Sequence, residues 1–260
     1  TGDQEGQSET GVLGLRWMPS TDEMFLATPS GVSTPTDTKK RALGLVSSIY
    51  DVLGLISPLV LYGKILLQEI WKTGIGWDAQ LPENLRSRLE SWKPAVAAVG
   101  SLKFPRHLGL GKKASVHCFV DASEKGYGAV VYGVSKNTVV LLFSKTRVAP
   151  LKPISLPRLE LLSCVLGTSA VDFVLKCNLV EVTEVHYWSD SQVALAWIKG
   201  APHRWKTFVA NRVAAIQRCT DPSQWRHVPG DDNPADLASR GVDSLEPLKT
   251  SKWLHGPSWL

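Results

Sequence analysis

The chain has 260 residues, of which 43% are hydrophobic and 20% are charged, and its net charge is +5 at pH 7. These values are typical of a globular protein of one or two domains. No apolar run approaches the roughly 18 to 20 residues needed to cross a bilayer. The first residues lack the basic start and apolar core of a secretory signal. We therefore expect an intracellular, cytoplasmic protein.

The first hundred residues are predicted to be mostly helical after a short hairpin. Apolar stretches at 12–17 and 24–27 predict the hairpin, and Ser, Thr and Pro in residues 31–37 predict a linker. Apolar residues spaced by three and four predict three helices: Lys39 to near Gly54, about Pro58 to Thr73, and about Leu81 to Val99, the last interrupted or ended at Pro94. A domain boundary is expected near residue 100.

The remainder alternates strands and helices. Turn residues at Glu124–Gly126 and Ser135–Asn137 predict that the first three strands form antiparallel hairpins. The predicted strands are 115–122, 126–134, 139–144, 184–188 and 224–228. The predicted helices begin near 156, 191, 205 and 233. The order βββ-α-β-α-α-β-α predicts an α/β fold in which helices pack on a mixed sheet.

Four short motifs each place one acid at the end of a predicted strand or the start of a predicted helix. They are Phe119-Val-Asp121-Ala-Ser, Pro157-Arg-Leu-Glu160-Leu-Leu, Tyr187-Trp-Ser-Asp190-Ser and Asn233-Pro-Ala-Asp236-Leu-Ala-Ser-Arg240. Each acid alone has an ordinary explanation. Asp121 is explained as a turn residue and Asp190 as a helix cap. Glu160 and Asp236 are explained as first-turn acids favoured by the helix dipole.

Taken together, the four acids predict one metal site assembled from distant parts of the chain. Hydrolysis of phosphodiesters by two metal ions uses about three or four carboxylates around ions about 3.5 to 4 Å apart. Oxygen ligands without His or Cys favour Mg²⁺ or Mn²⁺ over zinc. From Ser101 to Leu245 the chain has 18 Lys and Arg against 12 Asp and Glu. A basic surface around an acidic pocket is typical of a protein that binds a phosphate backbone.

At these motifs the chain resembles the ribonuclease H domain of retroelement polyproteins, and most closely that of BEL/Pao long-terminal-repeat retrotransposons. The strings that carry the resemblance are Phe119–Ser123 with Gly126–Ala129, Leu156–Leu162, Trp188–Ile198 and Asn233–Gly241. Outside them, Lys39–Gly54 resembles the segment that follows a polymerase palm. Trp253–Leu260 resembles the stretch that leads toward an integrase.

The resemblance implies a ribonuclease H-like mixed five-stranded sheet flanked by helices and preceded by a small, mostly helical segment. It implies the following layout: 1–37 a hairpin and linker at the end of a palm-like region, 38–100 a helical thumb- or connection-like segment, 101–245 the ribonuclease H-like domain, and 246–260 a linker toward an integrase. The rest of the polyprotein, with its polymerase palm and integrase, would be a partner, and no membrane is expected. The location would be the cytoplasm or a virus-like particle.

The resemblance also implies an activity. Asp121, Glu160, Asp190 and Asp236 would be catalytic and would bind two Mg²⁺ ions, with Mn²⁺ as a substitute. The substrate would be the RNA strand of an RNA–DNA hybrid, cut during reverse transcription. No Y-x-D-D polymerase motif occurs in the chain, so no polymerase activity is expected. His227 is interpreted as a strand histidine without a catalytic role.

Phosphate and 2′-hydroxyl contacts would hold a hybrid. The predicted substrate-binding residues are Ser123, Arg158, Ser191, Gln192, Arg204, Lys206, Asn233 and Arg240, with Lys145, His203 and Arg212 as further candidates. Any single basic residue is more often ordinary solvated surface.

Three alternatives stay open at this stage. The chain is alternatively a catalytically inactive remnant that binds nucleic acid or acts as a scaffold. An aspartic peptidase needs D-[ST]-G turns, which Asp121-Ala-Ser and Asp190-Ser-Gln lack. An integrase-type nuclease normally uses three acids ending in a Glu, whereas here the fourth acid, Asp236, favours ribonuclease H.

Overall fold

The computed structural model of the protein describes residues 10–136 and 138–260. Contacts divide these residues into two compact units. The first unit comprises residues 10–52, 66–108 and 243–245, and the second comprises residues 53–65, 109–242 and 246–260. Two predictions fall partly outside the described residues: the first nine residues of the segment 1–37, and position 137 of the turn that begins at Ser135.

The first unit contains a four-stranded antiparallel sheet. In sheet order its strands are β1 (Thr10–Val12), β2 (Leu15–Met18), β3 (Glu23–Leu26) and β4 (Phe104–Pro105). Strands β2 and β3 form the predicted hairpin, in which Arg16 pairs with Phe25. The sequence pattern did not reveal β1 and β4. They add strands on both sides of a two-stranded hairpin, which is marginally stable by itself.

Three helices follow: α1 (Lys39–Ser47), α2 (Ser57–Lys72) and α3 (Glu83–Ala97). Residues 57–65 of α2 belong to the second unit and residues 66–72 to the first. Helix α1 ends well before Gly54, since the Ser48 hydroxyl and backbone N–H take up its last carbonyl groups. Helix α3 continues through Pro94 because its apolar face, including Leu89 and Val96, is fully buried. No helix in the described ranges is long and apolar enough to cross a membrane.

The second unit is built on a mixed five-stranded sheet in the order β7-β6-β5-β8-β9. Its elements are β5 (Lys113–Ala122), β6 (Gly126–Ser135), β7 (Thr138–Val148), α4 (Leu156–Lys176), β8 (Glu181–Ser189), α5 (Gln192–Lys199), α6 (Thr207–Cys219), β9 (Trp225–His227), α7 (Ala235–Arg240) and α8 (Ser251–His255). Strands β5, β6 and β7 are antiparallel, and β8 runs parallel to β5 and to β9. The predicted element order and mixed sheet are confirmed.

The two faces of this sheet carry different helices. Val116, Cys118 and Val120 of β5 point into the main core, which they share with α4, α5 and α6. Phe119 and Asp121 alternate with them and therefore lie on the opposite face. Helix α7 packs on that second face against β5 and β6. The sheet thus separates the main apolar core from the face that carries Asp121.

The sequence suggested a linker for residues 246–260, whereas the structure packs them into the second unit. The Trp253 side chain of α8 is fully buried. Its Nε1 donates to the carbonyl oxygen of Leu55 at 2.9 Å, and its own carbonyl oxygen accepts from the Tyr132 hydroxyl at 2.8 Å. Burying a Trp removes a large apolar surface from water. That burial accounts for the ordered packing of this segment.

Candidate active site

Asp121 and Asp190 lie side by side at the ends of two neighbouring strands. Strands β5 and β8 are parallel, and Val120 is aligned with Ser189. Each aspartate follows directly in sequence, so the register of the sheet brings the two carboxylates to the same edge. The Asp121 side chain is only 6% exposed. The first and third predicted acids therefore form the centre of the candidate site.

Glu160 approaches this centre from helix α4. It is the fifth residue of the helix and so lies beyond the first turn where it was expected, and the helix dipole contributes little there. Its carboxylate accepts a hydrogen bond from the Ser191 hydroxyl. The same hydroxyl accepts from the backbone N–H of Ala194 at 3.1 Å and caps α5. Ser191 directly follows Asp190 in the chain, so its hydrogen bond holds Glu160 close to Asp190.

Helix α7 brings Asp236 to the site. Two side chains hold this helix at the end of β5. The Asn233 amide donates to the carbonyl oxygen of Val120 at 3.0 Å, and its Oδ1 accepts from the backbone N–H of Ala235 at 3.1 Å. The Ser239 hydroxyl donates to the Asp121 carboxylate. These contacts position the first turn of α7, including Asp236, beside Asp121.

Electrostatic coupling shows that the four acids share one environment. Burial, together with the charges of Asp190 and Asp236, raises the pKa of Asp121 to about 7. The hydrogen bond from Ser239 lowers the pKa and partly offsets this increase. Burial also raises the pKa of Glu160, and the charge of Asp190 adds to that increase. The pKa of Asp190 is likewise raised by burial and further by the charge of Asp236. Crowded carboxylates of this kind are costly unless positive charge compensates them. A perturbed cluster is typical of a functional site.

The four acids offer carboxylate oxygens, which are the ligands that Mg²⁺ and Mn²⁺ prefer. Asp190 Oδ1 is buried and has no hydrogen-bond partner in the described part of the chain, which is costly for a charged oxygen. As the side chains lie, however, no three His, Cys, Asp or Glu among the described residues form a group that could hold a metal ion. Asp121, Glu160 and Asp236 accept hydrogen bonds from Ser239, Ser191 and Arg240. Each of these hydrogen bonds engages one oxygen of its carboxylate, and carboxylates that bind a metal ion are commonly hydrogen-bonded in this way.

Comparison with known protein families shows which family this chain belongs to. The model of the Pao retrotransposon-like RNaseH-like domain matches residues 38–191. The chain belongs to this family. The matched residues include Asp121, Glu160 and Asp190, while Asp236 lies beyond them. No curated protein matches the chain.

Several solved structures are similar to this Pao RNaseH-like domain. A foamy viral protease-reverse transcriptase in complex with an RNA/DNA hybrid is 12% identical, with a TM-score of 0.51 over 85% of this chain and 30% of the viral chain. The foamy viral enzyme with dsDNA is 14% identical, with a TM-score of 0.50 over 85% and 45%. The N-terminal RNase H domain of a Mycobacterium tuberculosis protein is 20% identical over 50% of this chain and 91% of its own, with a TM-score of 0.35. This chain thus spans less than half of each viral chain.

The predicted substrate-binding residues of the Pao RNaseH-like domain divide into two groups. Three of them act within the protein: Asn233 is fully buried, Ser191 caps α5, and the Ser123 hydroxyl donates to the Ser239 carbonyl oxygen at 2.7 Å. Asn233 is therefore corrected from a substrate ligand to a residue that positions α7. The others are at least partly exposed: Arg158, Gln192, Arg204, Lys206 and Arg240.

Two residues that sequence reasoning left out also border the site. Ser239 is three residues after Asp236, and that helical spacing was the available signal for a shared helix face. His227 pairs with Ser189 across β8 and β9. Its charge lowers the pKa of Asp190 against the larger effect of burial. His227 therefore lies at the site, in addition to its predicted place in a strand.

Proposed function

We propose that this chain is a metal-dependent endoribonuclease that hydrolyses the RNA strand of RNA–DNA hybrids during retroelement reverse transcription. One observation carries the proposal: Asp121 and Asp190 lie at adjacent parallel strand ends, where a buried oxygen of Asp190 has no hydrogen-bond donor among the described residues. In a Pao RNaseH-like domain, this arrangement supports phosphodiester hydrolysis assisted by metal ions.

Asp121, Glu160, Asp190 and Asp236 would hold two Mg²⁺ ions, and Mn²⁺ would substitute for them. When bound, the ions would activate a water molecule and stabilise the leaving 3′-oxygen. The protein itself contributes orientation. Ser239 and Ser191 fix the rotamers of Asp121 and Glu160, while Asn233 fixes the helix that carries Asp236.

The basic residues would hold the phosphate backbone of the hybrid. Arg158 and Arg212 lie over the Phe208 ring at 5.1 and 3.6 Å, and Arg204 and Lys206 are exposed nearby in sequence. Residues 191–220 contain no Asp or Glu. A foamy viral chain of similar fold was solved with an RNA/DNA hybrid, which supports this substrate class. The polymerase palm and integrase of a polyprotein would be partners, in the cytoplasm or a virus-like particle.

A second candidate function is binding without cleavage. It is favoured by the arrangement of the side chains, since no three His, Cys, Asp or Glu among the described residues form a group that could hold a metal ion. Such a remnant would hold a hybrid through the same basic surface. The two functions share the fold and differ only in whether the carboxylates bind metal.

Cleavage of a hybrid labelled separately on each strand, with Mg²⁺ or Mn²⁺, distinguishes the two. The experiment includes an Asp190→Asn variant, a double-stranded DNA substrate and a gel-shift measurement of hybrid binding. Cleavage of only the RNA strand, lost in the variant, is the expected result. A folded wild-type chain that binds the hybrid but leaves both strands intact would establish the second function.

A further inference from the structure

The loop of residues 230–232 borders Asp190 and leads into the helix that carries Asp236. A Cβ atom added to Gly230 would lie 3.4 Å from Asp190 Oδ2. The loop is a single helical turn, closed by the N–H of Asp232 on Pro229 at 2.9 Å and that of Asn233 on Gly230 at 3.0 Å. Its conformation therefore limits the space beside Asp190.

The last residues of the chain hold this loop at two points. We name residues 251–260 the C-terminal segment. Lys252 Nζ donates to the carbonyl oxygen of Asp231 at 2.5 Å. Trp259 Nε1 donates to Asp232 Oδ2 at 3.2 Å. Both acceptors belong to the loop, and neither donor is hydrogen-bonded to any of the four predicted metal ligands.

The C-terminal segment is itself anchored on the sheet face that leads to the site. The Trp259 ring centroid lies 4.9 Å from that of Trp188 and 6.1 Å from that of Phe119. Trp188 and Phe119 precede Asp190 and Asp121 by two residues in β8 and β5, so they share the face to which those acids lead. The buried Trp253 fixes the other end of the segment.

The position of Trp259 is not explained by burial alone. Its side chain is 46% exposed, so much of its apolar surface stays in water. The hydrogen bond from its indole to a charged acceptor is of the kind that contributes more than a neutral one. The contact therefore indicates that Trp259 stabilises the 230–232 loop.

We infer that Trp259 and Lys252 are positioning residues, which hold the 230–232 loop against Asp190 and thereby fix Asp236 relative to Asp121. The effect on catalysis that this inference predicts rests on the proposed function. The effect on the conformation of the loop rests only on the contacts described above. It implies that the C-terminal segment is part of the active domain. A chain lacking this segment would have a loosened site.

Hydrogen exchange of the Asp232 and Asn233 amides in the full chain tests the structural half, because both amides close the loop turn. Trp259→Ala should accelerate their exchange by about tenfold or more, the size expected for loss of a hydrogen bond to a charged acceptor. Trp259→Phe keeps a ring against Trp188 but loses the N–H, and should give an intermediate rate. Trp77→Ala, which removes a 51% exposed indole from the first unit, is the control. Unchanged exchange in Trp259→Ala would overturn the inference.

Hybrid cleavage by the same variants tests the catalytic half. Trp259→Ala should lower kcat by about tenfold or more with KM changed less than about twofold, since misplacement of a catalytic group by 1 Å can cost about a hundredfold. Trp259→Phe should recover part of the loss. A wild-type chain that cleaves nothing would contradict the proposed function while the exchange rates still decide the inference. A Trp259→Ala chain with wild-type cleavage and wild-type exchange would defeat the inference alone.

Discussion

The Ser239 hydroxyl donates a hydrogen bond to the Asp121 carboxylate, although 118 residues separate the two in sequence. The bond joins helix α7 to the end of strand β5. It also opposes the increase in the pKa of Asp121 that burial causes. Because Asp236 lies on the same helix, this contact couples the position of the fourth acid to that of the first.

Ser239→Ala should therefore impair both the fold and the site. Loss of the donor leaves a buried carboxylate oxygen unsatisfied, at a cost of about 1 to 3 kcal/mol in the free energy of unfolding. Hybrid cleavage should fall by about tenfold or more, as for other losses of orientation. Ser163→Ala is the matched control, since that buried hydroxyl donates to a backbone carbonyl oxygen, that of Glu160, and not to a carboxylate. Equal cleavage by Ser239→Ala and wild type would contradict the coupling.

Mg²⁺ should stabilise the chain even without substrate. A cation relieves repulsion among Asp121, Asp190 and Asp236, and a ligand at a hundred times its Kd adds about 2.7 kcal/mol to the free energy of unfolding. Thermal unfolding with millimolar Mg²⁺ and with chelator measures this. Asp190→Asn should abolish the effect. Asp172→Asn, whose carboxylate pairs with Lys176 on the surface, should retain it, and a Mg²⁺ effect that survives in Asp190→Asn would place the cation elsewhere.

Gly128→Ala should displace helix α7 from the sheet. A Cβ atom there would lie 2.7 Å from both the Cβ and the carbonyl oxygen of Ala238, and such overpacking typically costs about 1 to 3 kcal/mol. Cleavage should fall because Asp236 moves with the helix. On the same strand, the nearest neighbours of a Cβ atom at Gly133 would be side-chain atoms of Leu110 and Leu142, which can shift. Denaturant unfolding and cleavage of both variants check the difference, and equal behaviour would refute it.

Acidification should destabilise the second unit through His117. Burial, then the charges of His186 and Arg226, lowers the pKa of His117 to about 4, and its neutral Nδ1 accepts from Trp188 Nε1 at 3.2 Å. A group with a lowered folded pKa binds fewer protons when folded, so stability is complete above about pH 6.5 and falls toward pH 4. After allowance for partial exposure, the contribution of His117 to the free energy of unfolding should fall by about 1 to 2 kcal/mol between pH 7 and pH 5. Protonation of Asp121, whose pKa is raised to about 7, acts in the opposite direction over the same range.

Denaturant unfolding of wild type and His117→Phe at these two pH values isolates the His117 contribution, because Asp121 is present in both chains. His117→Phe should lose less stability on acidification than wild type, and His203→Gln is the control for the removal of a histidine outside the sheet. An identical pH dependence in wild type and His117→Phe would show that other groups cause the loss.

Local chemistry was sufficient to predict most elements of the second unit. The alternation of apolar residues in β5 and the helical spacing in α4 follow directly from burial on one face. The same approach gave too long a helix α1, because its end depends on a cap at Ser48. It suggested a break at Pro94, where burial of Trp92 and Val96 on either side of the proline maintains the helix.

The sequence by itself determined the element order of the second unit and the motifs that carry the four predicted acids, because periodicity and motif spacing are local properties of the chain. Only the tertiary structure decided that Asp121 and Asp190 share a sheet edge, that Asn233 is buried and that Trp259 contacts Asp232. These relationships join residues distant in sequence through strand register and packing. No local pattern specifies which distant partner satisfies a buried polar group.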